Sequence, residues 1–273
     1  MSIDSMLLTL FTNDAELARQ ADMAGVDRIG VDLESIGKKA RQGHLNTWIS
    51  DHTIGDIPAV KSALQHAKLF ARTNPVHKDL KQEIDALIDY GVEVLMLPYF
   101  HTIEEASEFI RLVDGRAEVS LLVETAAAAL RLPELIKLEG IHDIHIGLND
   151  LHLSLKLSSH FELLQSAFMK HLTDQLHEAG ILFGFGGIAR YHDDTLPIPS
   201  DLVYAQYAYH KAHAALVSRV FTSTATAPLD LTDEVAKARE RIDFWFSCSE
   251  ETLSLQHEKL TEIVHGMLNT KKR

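Results

Sequence analysis

Two acidic side chains stand out by their type and their spacing. Glu124 ends the apolar run Leu121–Val123, and Asp150 follows the run Ile144–Asn149, 26 positions later. One strand–helix unit of an α/β barrel takes on the order of 30 residues. The interval therefore places both acids at matching ends of consecutive strands. Two carboxylates aimed into one cleft repel each other unless a cation separates them. A divalent ion is the simplest such cation. Carboxylate oxygens suit Mg²⁺ or Mn²⁺, which keep positions open for water and substrate.

Other apolar runs end in chemistry that fits. Val31 is followed by Asp32 and, two positions on, by Glu34, so alternation puts both acids on one side of an extended chain. Ala71 is followed by Arg72, whose guanidinium offers a fixed cation with a donor fork for a carboxylate or an enolate oxygen. Gly147, ahead of Leu148 and Asn149, leaves room for a ligand near the backbone, which makes these three the substrate-binding candidates. Gly184–Gly187 opens space at the same level or forms a phosphate site. Each feature also has a plain structural reading. An acid after a strand is often a helix N-cap, Arg72 could simply pair with Glu34, and a glycine-rich run can be only a turn. One arginine and four carboxylates at four strand ends weigh against coincidence.

Those ends belong to eight short apolar runs: 6–12, 28–34, 68–74, 92–100, 118–125, 143–150, 181–188 and 214–221. Most are apolar on both faces, as parallel strands covered by helices are. Amphipathic segments separate them, and two of these stop at Gly91 and Gly115, suitable C-cap positions. Eight strands alternating with helices, in one chain without a linker, predict an α/β fold: a (β/α)8 TIM barrel with extra C-terminal helices. The dinucleotide fingerprint of an open doubly wound sheet is absent after the first strand. The expected division is a catalytic barrel over 1–246 and a C-terminal helix over 247–273. That helix is preceded by a capping-box pattern, Ser247 to Glu250. Its stripe of Leu253, Leu260, Ile263, Val264, Met267 and Leu268 suggests an arm that packs on a neighbouring subunit, so a homo-oligomer is expected.

The 273 residues carry a formal net charge of −13. Such a chain is a poor partner for nucleic acid or an anionic membrane surface. Its single cysteine, Cys248, permits neither an internal disulfide nor a cysteine zinc cage. The N-terminal apolar run, Leu7–Phe11, is too short for a signal or a membrane span, and a cytoplasmic location is expected.

The sequence resembles the HpcH/HpaI aldolase and citrate lyase β-subunit family of phosphoenolpyruvate/pyruvate-domain barrels. The matching pieces are Val31–Glu34, Ala71–Pro75, Gly91–Ala106, Leu121–Ala128, Ile144–Leu155, and the later FGFGGIAR and SRVF. The resemblance implies a Mg²⁺ or Mn²⁺ held by Glu124 and Asp150. It implies a 2-oxo acid, such as pyruvate or an oxaloacetate-like acid, with Arg72 facing the developing enolate oxygen and Asp32 and Glu34 beside it. A carbon–carbon bond to an aldehyde or acyl electrophile is then made or broken.

The chain departs from that pattern in two places. Relatives of the aldolase branch carry a histidine just after the strand 2 acid pair, and those of the citrate lyase branch an acid; here Ser35 stands there. The proton-moving role then falls to His52, with His44 next, while His145 and His152 flank the metal motif without matching its ligands. Tyr209–Ala212 replaces a Leu-Gly-Ser turn of many relatives. These departures keep an alternative open: a catalytically degenerate barrel that binds a 2-oxo acid or a phosphorylated ligand without turnover.

Overall fold

The computed structural model describes residues 6–38, 50–193, 195–223 and 230–271. Eight parallel strands close on themselves in sequence order: β1 (Leu7–Phe11), β2 (Arg28–Asp32), β3 (Lys68–Arg72), β4 (Val94–Leu97), β5 (Glu118–Val123), β6 (Asp143–Ile146), β7 (Leu182–Ile188) and β8 (Ala214–Val217). The fold is a (β/α)8 TIM barrel with additional C-terminal helices, as the alternation predicts. The strands are shorter than the apolar runs. The most consequential difference is at β6, which stops at Ile146. Gly147 then turns the chain, and Asp150 lies in the first turn of the helix Leu148–Ser154.

Alternation along the strands sorts the side chains into layers. At the N-terminal end, Arg28 pairs with Asp143 at 2.6 Å, and Ser120 Oγ donates to Asp143 Oδ1 at 2.5 Å. An apolar layer follows: Phe70, Val94, Met96 and Leu122, with Phe11 against them. Two residues further along β2, β3 and β5 come Asp32, Arg72 and Glu124. The charged groups thus sit on a dry floor at the C-terminal mouth. Gly30 makes the middle layer possible, since a Cβ there would fall 1.5 Å from the Phe70 carbonyl oxygen.

The glycine run of β7 has a structural cause. A bulge shifts the β7–β8 register between Gly184 and Gly187. A Cβ on Gly184 would lie 2.3 Å from the Ala214 carbonyl oxygen. Close strand approach, rather than space for a phosphate, explains these residues.

The tail stays on its own barrel. Helix Leu231–Phe246 is tied by Arg239, whose Nη1 donates to the Met6 carbonyl at 3.0 Å. It is tied again by Trp245 Nε1, which donates to Asp201 Oδ1 at 2.8 Å. The last helix, Glu250–Lys271, packs on helix Ser200–Tyr209. Leu253, Leu260 and Val264 are buried there, with Ile263, Met267 and Leu268 partly buried beside them. The stripe expected to cover a neighbour is therefore spent within the chain. Its N-terminal cap is Ser249, whose Oγ accepts from Thr252 N at 3.3 Å, and not Ser247.

Candidate active site

Neither sequence-predicted metal ligand is a helix cap. The cap after β5 is Thr125, whose Oγ1 accepts from Ala128 N at 3.0 Å. Gly147 occupies the cap position before Asp150, with no side-chain hydrogen bond. Both acids are nevertheless buried, Glu124 at 3 % and Asp150 at 8 % exposure. Burial pushes the Glu124 carboxyl well above the usual carboxylate range. The fields of Glu34 and Asp150 push it the same way, against Arg72 and the Tyr99 amide. Three of the four acids named from the sequence thus act on one locality.

Gly147 has a specific task in it. A Cβ at that position would lie 2.7 Å from Glu124 Cβ and 2.9 Å from its Oε2. The missing side chain makes room for the Glu124 carboxylate. Leu148 is buried as apolar wall, and Asn149 is exposed.

On the other side of the mouth, Arg72 is gripped edge-on. Its Nε and Nη2 donate to the two oxygens of Asp32 at 2.8 and 2.7 Å, and Nη2 lies 3.4 Å from Glu34 Oε2. Its guanidinium also stands over the Phe11 ring, 5.2 Å from the centroid. Burial alone would lower the Arg72 proton affinity and raise that of Asp32. Their mutual attraction outweighs burial in both: Arg72 is raised and Asp32 held well below the usual range. Among the described residues, the hydrogen bonds of this guanidinium run through Nε and Nη2 and none through Nη1.

Lys38, which the sequence reading missed, completes this cluster. Its Nζ lies 3.1 Å from both Asp32 Oδ2 and Glu34 Oε2, and the residue is 3 % exposed. The available signal was its spacing of four from Glu34. Tyr99 was missed as well: its backbone N–H donates to Glu124 Oε1 at 2.9 Å. Arg219, just past β8, was also missed, and its charge is felt at Asp32, Arg72 and His52.

The proton-transfer candidates fare differently. Ser35 is exposed, and its N–H and Oγ both donate to Asn74 Oδ1, at 3.0 and 3.2 Å. His52 Nδ1 accepts the backbone N–H of Asp32 at 3.0 Å, which places the ring proton on Nε2. Burial, with Arg219 assisting, lowers the His52 proton affinity against the opposing pull of Asp32, Asp51 and Asp56. Its lone pair is therefore engaged, and the ring must release Asp32 before it can accept a proton. His44 lies outside the described residues. His145 faces into the barrel beside Leu122, held near a pKa of about 4 chiefly by burial, with Nε2 3.2 Å from the Gly186 carbonyl oxygen. His152 bonds within its own helix, to the Leu148 carbonyl at 3.0 Å.

The donor set fits a hard divalent ion. Among the described residues, the buried acids Asp32, Glu34, Glu124 and Asp150 share this mouth with the buried cations Lys38 and Arg72. Among the described residues no group of three or more His, Cys, Asp or Glu is arranged as a ready-made cage. Two carboxylates with water and substrate completing the shell is a Mg²⁺ or Mn²⁺ pattern rather than a zinc one.

The family model of HpcH/HpaI aldolase/citrate lyase matches residues 5–185. The chain belongs to this family. Solved structures of HpcH/HpaI members share its fold. An aldolase from Desulfitobacterium hafniense superposes with a TM-score of 0.58 at 16 % identity, covering 78 % of this chain and 86 % of that one. A family protein from Burkholderia cenocepacia gives 0.61 at 16 % identity, covering 88 % and 95 %. A variant of the citrate synthase SbnG gives 0.53 at 13 % identity, covering 78 % and 86 %. A search among curated proteins finds no match. Among the described residues no helix is long and apolar enough to cross a membrane.

Proposed function

We propose that this HpcH/HpaI family member is a divalent-metal-dependent carbon–carbon lyase or aldolase. Its substrate is a 2-oxo acid, pyruvate or oxaloacetate-like, handled through the enolate. The observation that carries the proposal is the buried pair Glu124 and Asp150. Burial, with the repulsion of Glu34 and Asp150, holds the Glu124 carboxyl well above the usual carboxylate range against the pull of Arg72, so a further cation there would favour its ionised form. Glu124 and Asp150 would hold the ion. When bound, Mg²⁺ or Mn²⁺ supplies Lewis-acid withdrawal of charge from the substrate's oxygens.

The rest is done by the chain itself. In the cleavage direction the bond between C3 and C4 of a 4-hydroxy-2-oxo acid breaks. The hydroxyl proton leaves, an aldehyde forms, and the bonding electrons pass to the 2-oxo oxygen. Arg72, immobilised by Asp32, presents Nη1 to that oxygen, and losing one such donor costs about a hundredfold or more in rate. The dry layer of Phe70, Met96 and Leu122 below keeps the local dielectric low, where such donors act most strongly. His52 is the proposed proton carrier, and it exchanges its bond to Asp32 N–H for the substrate proton.

The test is a metal-stripped sample assayed with oxaloacetate and 4-hydroxy-2-oxo acids, with and without Mn²⁺. Turnover that returns with Mn²⁺ and vanishes in Glu124→Ala and Asp150→Ala supports the reading. Unchanged metal binding and turnover in both variants end it. The engaged lone pair of His52 and the tethered Ser35 favour a second reading, a barrel that binds a 2-oxo acid without converting it. Calorimetry with pyruvate showing binding, with no product across a panel of aldehydes and acyl-CoA esters, would select it.

A further inference from the structure

The most heavily charged buried group in the mouth is not the metal pair but the knot beneath the substrate position. Glu34 is 1 % exposed and Asp32 4 %. Each faces both buried cations: Lys38 Nζ at 3.1 Å from either acid, and Arg72 Nη2 at 2.7 Å from Asp32 and 3.4 Å from Glu34. Without Lys38, the pull of Glu34 on Arg72 Nη2 would draw the guanidinium away from Asp32 and loosen its pose. A buried carboxylate left without a cation would otherwise take up a proton.

We propose that Lys38 is the positioning residue of this site: by neutralising Glu34 and sharing Asp32, it lets Arg72 remain edge-on against Asp32 with Nη1 directed to the 2-oxo acid. Lys38 touches no reacting atom in this scheme. It acts through Arg72, and the claim rests on the proposed 2-oxo acid chemistry. Ser35, two residues before the glycine turn at 37, is tied to Asn74 and leaves this role to the lysine.

Charge rescue tests the idea. Lys38→Met should lower kcat by tenfold or more, about the scale of a misplaced oxyanion donor. Removing the Glu34 charge as well, in Glu34→Gln/Lys38→Met, should restore kcat to within about threefold of Glu34→Gln alone, because contacting residues couple non-additively. Pyruvate affinity measured by calorimetry should follow the same pattern: weakened by Lys38→Met and recovered in the pair. Mn²⁺ binding, read by water proton relaxation, should be at least as tight in Lys38→Met as in the wild type, since Glu124 and Asp150 are intact.

If the deficits of the two substitutions add, or if Lys38→Met leaves both kcat and pyruvate affinity unchanged, the positioning role is wrong. Lys38→Arg guards against misfolding: it keeps the charge in the same pocket and should retain kcat within about tenfold. A Lys38→Arg variant that folds with wild-type melting temperature yet behaves like an uncharged substitution also overturns the proposal. Wild-type protein that neither binds Mn²⁺ nor turns over would instead remove the metal-lyase reading. The pyruvate-binding arm would still decide the role of Lys38.

Discussion

The backbone amide of Tyr99 donates to the buried carboxylate of Glu124 at 2.9 Å from a left-handed conformation, φ 48°. A bulky residue in that region carries strain on the order of 1–3 kcal/mol. The neighbouring Phe100 carbonyl accepts from Thr125 Oγ1 at 2.8 Å, so the segment after β4 is stitched to the end of β5 twice. The strain is thus tied to the aim of one candidate ligand. Tyr99→Gly keeps the amide and removes the strain, so Mn²⁺ affinity should stay within about threefold of wild type. Tyr99→Pro removes the donor and imposes negative φ, and should weaken Mn²⁺ by tenfold or more. Equal affinities in the two variants would show that the amide does not orient Glu124.

Gly147 offers a substitution that reaches the site without touching its chemistry. Its φ is −80°, so alanine is allowed by the backbone. The added methyl would nonetheless sit 2.7 Å from Glu124 Cβ and 2.9 Å from Oε2. Gly147→Ala should therefore displace the carboxylate, with turnover down by about a hundredfold, the scale of a misplaced catalytic group. Its melting temperature should fall by only a few degrees. Loss of the fold, or full activity, would each contradict this account of the glycine.

The raised proton affinity of Glu124 would make the proposed metal binding pH-dependent. Without metal, burial and the fields of Glu34 and Asp150 favour the neutral acid. A cation requires the carboxylate, so loading must expel the proton. Apparent Mn²⁺ affinity should rise with pH, at most about tenfold per unit while Glu124 is protonated in the free protein. Calorimetry in buffers of different ionisation enthalpy should count up to one proton released. Glu124→Gln should abolish that release and the binding. It should melt close to the metal-free wild type, because the amide imitates the protonated acid.

What the sequence revealed was periodic or positional. The eight strands and the places of Asp32, Arg72 and Glu124 could be read because parallel strands repeat an apolar run followed by a mouth residue; Asp150, expected at a strand end, lies in the helical turn after it, and Arg72, expected against Glu34, is held chiefly by Asp32. Lys38 could not be read, because it lies beyond the strand end, where chain direction is set by a turn at Gly37, φ 75°. Tyr99 contributes a backbone group, which no side-chain pattern encodes. Gly147 was found, but not the room it leaves for Glu124, because sequence shows that space is made and not what borders it. Similarly, the stripe on the last helix announced burial without saying against which surface.

Acid should unfold this protein through its histidines. His145 and His210 are buried and held neutral, with pKa values lowered chiefly by burial to about 4 and about 3. Unfolded, each would titrate near the ordinary 6.5. Their stability contribution is full above pH 6.5 and is lost as the pH falls from there toward the folded values, because the unfolded chain then binds more protons. These two groups alone give a slope of up to about 3 kcal/mol per pH unit, and His160, also held near a pKa of about 4 chiefly by burial, adds to it. Against a usual stability of about 5–15 kcal/mol, unfolding is expected near pH 4–5. Chemical denaturation at pH 7, 6 and 5 measures the slope, and His210→Gln should lower it by up to about 1.4 kcal/mol per pH unit. A flat profile above pH 5 would mean that these rings are protonated in place.

The last helix gives a prediction about folding rather than catalysis. Leu253, Leu260 and Val264 are buried against the barrel, and full burial of such side chains is worth about 1.5–3 kcal/mol each. The junction also contains His257, whose Nδ1 lies 2.7 Å from Oε1 of the fully buried Gln206. His257 stacks on Tyr209 with ring centroids 4.2 Å apart. Removing residues 247–273 would expose Gln206 and the apolar face of helix Ser200–Tyr209 together. The loss, about 5 kcal/mol or more as an upper estimate, is a large share of a domain's stability. The shortened chain should melt at least 10 °C lower or aggregate, and light scattering of the full chain separately reports its mass. A shortened chain with unchanged melting temperature would mean that this helix lies on the barrel without holding it together.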